Sequence, residues 1–227
     1  MKFSILTTTH NRNSSLQNHL TSLTSQQISE EFEILVLDDY YLHVQETEDI
    51  SNSFPNTRYL HTGKTKNNKD YWRVPGFALN IGAKLCSGDA ITITGCDIKL
   101  STEYDYQRII SLFNDNLVTV RSIKVEGSDS RQRTDSIRMP FFMTIPKQTF
   151  IDIGGYDEDF IGVAGEDNDL MDRLMSVKSL ISAPVTITHQ SHEDVPWDER
   201  REYNYKLWKD RKGLLVRNQN REWGVYE

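Results

Sequence analysis

Carboxylates crowd one short stretch of this chain. GEDNDL, residues 165–170, sets Glu166, Asp167, Asn168 and Asp169 in a row, and GGYDEDF stands just upstream at 154–160. Such groups hold a metal, bind sugar hydroxyls or accept a proton. The plain alternatives are a solvated loop, or first-turn charges that favour a helix N-terminus. Further acids end apolar runs: Asp38 and Asp39 follow FEILVL, and Asp97 follows DAITITGC. Open α/β sheets bind ligands outside the carboxyl ends of their strands, which makes these three site candidates. Turn formation and helix capping are their structural alternatives. His189 and His192 fall in THQSHED, directly after a strand-like run. By spacing alone they do not define a metal site, and neither do His10, His19, His43 and His61.

The elements that must position these groups follow from periodicity. Phe3–Thr9 is apolar and β-branched, and reads as a strand. SSLQNHLTSLTS places Leu16, Leu20 and Leu23 on one helical face, with serine available as a cap. Phe32–Asp39 is a second strand, nearly continuous in apolar residues, as in a sheet covered on both faces. NTRYLHTG is a third. VPGFALNIGAKL reads as a helix from Val74, with Pro75 near its start and Gly76 and Gly82 permitting close packing. Asp89–Ile98 is the expected central strand. A helix over Glu103–Phe113, a strand over Leu117–Lys124 and a polar loop over Glu126–Ser136 follow. IRMPFFMTIP then reads as a strand broken by Pro140, KQTFIDIGG as a short helix, NDLMDRLMSV as a helix and PVTITHQ as a last strand. WDERREYNYKLWKDRKG reads as a helix, and the tail after it carries Trp223 and Tyr226 as docking residues. The pattern is one compact α/β domain.

Composition narrows the function. The chain has 227 residues and a formal net charge of -7. That balance disfavours nonspecific nucleic-acid or anionic-lipid binding. Cys86 and Cys96 lie in or beside apolar segments and are expected as buried thiols. No apolar run is long enough to span a membrane. MKFSILTTTHNR turns polar too soon for a signal peptide. A soluble, cytoplasmic protein is the expectation. The chain has no GxGxxG at its first turn, no GxxxxGK[ST] and no GxSxG, which disfavours dinucleotide binding, P-loop hydrolysis and α/β-hydrolase chemistry. A nucleotidyltransferase shares the α/β plan, but TTTHNRN supplies no Gly-rich basic phosphate loop.

The ordered set of motifs resembles the inverting glycosyltransferases of family 2, with the GT-A fold, over nearly the whole chain. FSILTTTHNR is similar to the family's opening strand, and FEILVLDD to its second strand. GFALNIGAKLCSGDAITITGCD resembles its A-R-N-x-G helix followed by the metal-motif strand. FFMTIPKQTFIDIGGYDEDFIGVAGEDNDLMDRL resembles the acceptor-side signature of chondroitin-polymerase and β-galactosyltransferase relatives. The implied architecture is a single Rossmann-like domain with a mostly parallel central sheet flanked by helices. Residues 1–98 would bind the nucleotide-sugar, 99–195 the acceptor, and 196–227 would form a C-terminal helix and tail.

The resemblance implies roles residue by residue. Thr8 or Thr9 would lie by the nucleotide, Asp38 or Asp39 would recognise the base, and Arg73 would approach uracil or phosphate. Asn80 matches the asparagine of the family's helix motif. Asp97 matches the last aspartate of the Asp-x-Asp metal motif, and His189 a late metal-completing histidine, with His192 as alternative. Asp167 matches the catalytic base and Glu166 an acceptor-holding carboxylate. The implied cofactor is Mn²⁺ or Mg²⁺, with a UDP-sugar as donor and a glycan as acceptor. Homo-oligomers or other glycan-synthesis proteins are the implied further partners. Two positions depart from the pattern: Gly95 replaces the first metal-motif aspartate, and Leu79 replaces the arginine before Asn80. A catalytically inactive, glycan-binding or structural domain is the alternative that Gly95 supports. Trp72, Phe141, Tyr156 and Phe160 are the candidates to stack on a sugar. The loops Thr62–Tyr71 and Glu126–Asp135 are the candidates to close over the donor.

Overall fold

Three apolar runs near the N-terminus become the parallel half of one sheet. The structure, a computed structural model, describes residues 1–63, 75–126, 132–133, 139–161, 164–192 and 200–225. In chain order these form β1 (Lys2–Thr9), α1 (Asn13–Thr24), β2 (Glu31–Asp38), α2 (Val44–Asn52) and β3 (Thr57–His61). Next come α3 (Pro75–Leu85), β4 (Ala90–Gly95), β5 (Ile98–Leu100), α4 (Asp105–Leu112), β6 (Leu117–Val125) and β7 (Gln132–Arg133). The last are β8 (Phe142–Pro146), α5 (Lys147–Asp152), α6 (Glu166–Val177), β9 (Leu180–His189) and α7 (Arg200–Asp210).

Among the described residues the strands form one sheet in the order β3-β2-β1-β4-β8-β6-β9-β5, with β7 paired to β6. The first four strands of that path are parallel throughout, and so is the long ladder of β6 with β9. β8 runs antiparallel to both β4 and β6, and β5 antiparallel to β9. The parallel half is therefore joined to a mixed half, and β5 follows β4 through the short turn at Cys96 and Asp97 without a helical crossover.

Side chains alternate across this sheet, and each face has its own core. Phe3, Ile5, Ile34 and Val36 face Leu16, Leu20 and Leu23 of α1 and Tyr106, Ile109 and Ile110 of α4. Leu6, Leu35, Leu37, Ile91 and Ile93 face Ala78, Leu79 and Ala83 of α3, Phe150 of α5 and Leu170 and Leu174 of α6. Both cysteines are buried free thiols.

Four local expectations change. α2 has no strong apolar stripe; its buried residues are Thr47 and Ser51, so periodicity does not reveal it. The expected serine cap on α1 is absent: Arg12 is the N-cap residue, makes no side-chain cap, and sends its guanidinium to Asp97 instead. The central strand ends at Gly95, and Cys96 and Asp97 turn the chain into β5. The last strand starts earlier than expected, at Leu180, where it pairs with Leu117.

Candidate active site

The parallel register decides where the polar ends of the strands meet. Thr9 pairs with Asp38, and Thr8 with Gly95, so the ends of β1, β2 and β4 form one rim. A cavity of about 190 Å³ opens there. Thr8, Thr9, Asp39 and Asp97 line it from the strand ends, and Glu166 and Asp167 from the start of α6. Leu79, Phe141 and Tyr156 supply apolar surface.

The two neighbouring aspartates separate in space. Asp38 is buried and accepts hydrogen bonds from the Tyr59 hydroxyl at 2.9 Å and the Tyr40 backbone N–H at 3.1 Å. Burial pushes its carboxyl up to about 6 against those bonds. It does not line the cavity. Asp39 does, and its carboxylate accepts the Thr62 hydroxyl while its carbonyl faces His10 Nδ1 at 2.9 Å.

Asp97, His189 and His192 converge. Each offers one ligand atom, and these atoms lie within 4.8 Å of one another. β5 causes this: Ile98 pairs with His189, and Gln190 N–H donates to the Asp97 carbonyl at 2.7 Å. His192 Nε2 lies 3.1 Å and His189 Nε2 3.5 Å from Asp97 Oδ2, and Arg12 Nη1 donates to the same oxygen at 2.9 Å. Burial alone would raise the Asp97 carboxyl; the His192 bond and the charges of His189 and Arg12 outweigh it and hold it below its ordinary value. One carboxylate oxygen and two imidazole nitrogens at this spacing fit a divalent cation. A Cβ on Gly95 would sit 2.6 Å from Asp97 Oδ1, so glycine leaves room for that carboxylate to fold back over the strand end.

The other acidic centre is built by α6. Gly165 enters the helix with φ of 94°, and Glu166 and Asp167 occupy its first turn. The Tyr156 hydroxyl donates to Asp167 Oδ1 at 3.0 Å. Glu166 is buried, and its Oε2 has no hydrogen-bond partner among the described residues. Burial raises both carboxyls; the neighbouring Asp167 charge raises Glu166 further, and the Tyr156 bond partly restrains Asp167. Tyr156 reaches Asp167 because its ring lies on the face of α3. A Cβ on Gly76 would stand 2.4 Å from the ring's Cγ.

A profile of the family described as glycosyl transferase family 2 matches residues 4–165. The chain belongs to glycosyl transferase family 2. A sequence search among curated proteins returns no match. Among solved structures, S. aureus TarS aligns with TM-score 0.64 at 18% identity, over 84% of this chain and 37% of that one. GalNAc-T7 with UDP, GalNAc and Mn²⁺ aligns with TM-score 0.70 at 15% identity, over 92% of this chain and 48% of that one. The mannosyltransferase PcManGT from Pyrobaculum calidifontis, with GDP-Man and Mn²⁺, aligns with TM-score 0.60 at 16% identity, over 92% and 60%. At such identities the likeness is one of fold: an α/β, GT-A-like single domain with a central sheet flanked by helices. This family 2 chain spans between 37% and 60% of those three chains.

The remaining expected residues sort plainly. Asn80 is buried away from the cavity wall: its amide donates to the Tyr156 carbonyl and to Glu158, both at 2.9 Å, and accepts from Tyr156 N–H at 2.8 Å. Phe141 lines the cavity and packs edge-on to His189, whereas Phe160 is buried outside it. Arg73 and Trp72 fall outside the described residues, as do most of the two expected closing loops. Sequence reading missed the Tyr156–Asp167 bond and the Arg12–Asp97 pair. The nearness of GGYDEDF to GEDNDL was the available signal for the first.

Proposed function

We propose that this chain is an inverting, metal-dependent glycosyltransferase that moves a hexose or N-acetylhexosamine from a UDP-sugar to a hydroxyl of a glycan. The observation that carries the reading is the presence of a carboxylate–imidazole triad, and of a carboxylate pair made by buried Glu166 and half-buried Asp167, in and beside one cavity at the strand ends. Family membership supports sugar transfer. The solved GT-A structures that hold UDP-GlcNAc, GDP-Man or UDP with GalNAc support a nucleotide-sugar donor.

In this reading residues 1–98 bind the donor, with Thr8, Thr9, Asp39 and Arg73 toward the nucleotide, and residues 99–195 bind the acceptor. Asp97, His189 and His192 would hold Mn²⁺ or Mg²⁺, which when bound supplies positive charge beside the leaving diphosphate. The imidazoles favour Mn²⁺ over Mg²⁺. Asp167 takes the acceptor hydroxyl's proton while the acceptor oxygen bonds to the anomeric carbon and the bond from that carbon to the diphosphate breaks. Its raised carboxyl makes it a better base than a solvated aspartate. Glu166, protonated or charged, holds the acceptor. Attack opposite the leaving group inverts the anomeric centre. The acceptor-side resemblance to chondroitin-polymerase and β-galactosyltransferase domains and a cytoplasmic setting belong to the same reading.

The test is UDP release from a panel of UDP-sugars and glycan acceptors with Mn²⁺, Mg²⁺ or EDTA, comparing the native chain with D167N and D97A. Metal-dependent release abolished in D167N is the expected result. Donor binding without turnover on any acceptor would favour the second reading, an inactive domain, which rests on Gly95.

A further inference from the structure

The segment after α7 lies beyond the family match, which ends at residue 165. It makes several hydrogen bonds to the two pieces of chain that carry Tyr156 and Asp167. The Asn218 amide donates to the carbonyls of Gly154 and Tyr156 at 2.8 and 2.7 Å and accepts from the Glu158 N–H at 3.2 Å. Asn80 of α3 holds the same backbone from the other side. Tyr156 is thus clamped between two asparagines, one from α3 and one from the tail.

Arg217 ties that loop to α6. Its Nη2 donates to Asp169 Oδ1 at 2.5 Å, and its Nε lies 3.2 Å from Asp157 Oδ2. Asp157 belongs to the Tyr156 loop, and Asp169 to the first turn of the helix that starts with Glu166 and Asp167. Arg217 and both aspartates are 4% exposed or less at the side chain. Its backbone N–H also bonds the Ile153 carbonyl at 3.0 Å. Arg211 adds bonds to Asp157 and Asp159, and Gly224 N–H donates to Glu158 at 2.9 Å. One arginine and one asparagine therefore fix both ends of the Tyr156–Asp167 hydrogen bond. A tail that only covered apolar surface would not need this polar specificity, since buried charges are costly unless paired.

We propose that the tail from Arg211 to Gly224 is part of the transfer site, with Asn218 and Arg217 acting as positioning residues that aim the Tyr156 hydroxyl at Asp167. The inference rests on Asp167 being the base. The cavity groups that share its surroundings are Glu166 from α6, Tyr156 from the loop, and His10, Arg12, Asp39 and Asp97 from the strand ends.

The decisive substitution is Asn218→Gly. Asn218 has φ of 55°, which glycine adopts without strain, so the backbone is kept while the amide is removed. Its partners are Tyr156→Phe, Asp167→Asn and the double variant of positions 156 and 218. The first readout is the Asp167 carboxyl titration by carbon-13 NMR, which needs no substrate; thermal unfolding checks that each variant is folded. Asn218→Gly should move the titration upward, in the direction of Tyr156→Phe, because a hydrogen bond to the charged carboxylate is lost. The second readout is turnover: kcat should fall about tenfold with donor KM little changed. Adding Asn218→Gly to Tyr156→Phe should then cost nothing more. A folded Asn218→Gly protein with the native titration overturns the proposal, as does a purely additive double variant. If Asp167→Asn leaves turnover intact, it is the base assignment that fails, and the titration still decides whether the tail positions Tyr156.

Discussion

Among the described carboxyl groups, Glu166 is moved furthest from its ordinary behaviour by where it sits. Burial raises its carboxyl, and the adjacent Asp167 raises it further. The folded chain therefore keeps a proton there at pH values where the unfolded chain has released it. By linkage, this group's contribution to stability falls as pH rises above the ordinary carboxylate range. Asp38 and Asp167 act in the same direction. Asp97, held below its ordinary value, acts oppositely, and its contribution is lost as pH falls through its folded pKa. E166Q keeps the neutral shape and removes the cost of charging. It should be more stable than the native chain at pH 8 by about 1–3 kcal/mol, with the difference gone near pH 4. Paired thermal melts across that range measure it; a pH-independent difference would contradict the buried-acid account.

At the scale of elements, α3 sets the candidate base through a contact that no charge makes. Its N-terminal turn must be bare for the Tyr156 side chain to approach so closely, and Gly76 provides that surface. A Cβ on Gly82, further along the same helix, would stand 2.6 Å from Leu37 Cδ1, the far end of a flexible side chain. The two glycines thus predict different outcomes. G76A should destabilise by about 1–3 kcal/mol through overpacking and also lower turnover, because Tyr156 must move off Asp167. G82A should cost less stability and leave turnover near native. Melting temperature and initial rate, measured on both, separate a packing role from a positioning role.

At the scale of the whole molecule, the candidate metal-binding triad joins positions 97, 189 and 192, which meet only when β5 pairs with β9. Cation binding should therefore report on the assembled fold. Mn²⁺ at 100 times its Kd should raise the melting temperature by roughly 5–10 °C. D97A should abolish that rise and H192A should reduce it, both without any need for substrate. An unchanged Mn²⁺ shift in D97A would remove Asp97 from the ligand set. The tail closes the other end of the site in the same long-range way, from residues 211–224 back to 153–158 and 169.

Much of this was legible in the chain itself. Apolar runs with period two or 3.6 marked β1, β2, β4, β6, α1, α3 and α6, because a two-faced sheet needs continuous apolar strands and one-striped helices to cover them. Carboxylates at strand ends and at a helix start marked Asp39, Asp97, Glu166 and Asp167 as candidates. α2 escaped because its buried face is polar, with Thr47 and Ser51 in place of an apolar stripe. Tertiary structure alone separates Asp38 from Asp39: one step along a strand end buries the first against Tyr59 and turns the second to the cavity. It also brought His192 beside His189, turned Arg12 onto Asp97, made Asn80 a clamp on Tyr156 and docked Arg217 beneath α6. Each of these depends on a contact between residues far apart in sequence, and local propensity carries no information about which distant groups a fold will bring within hydrogen-bond distance.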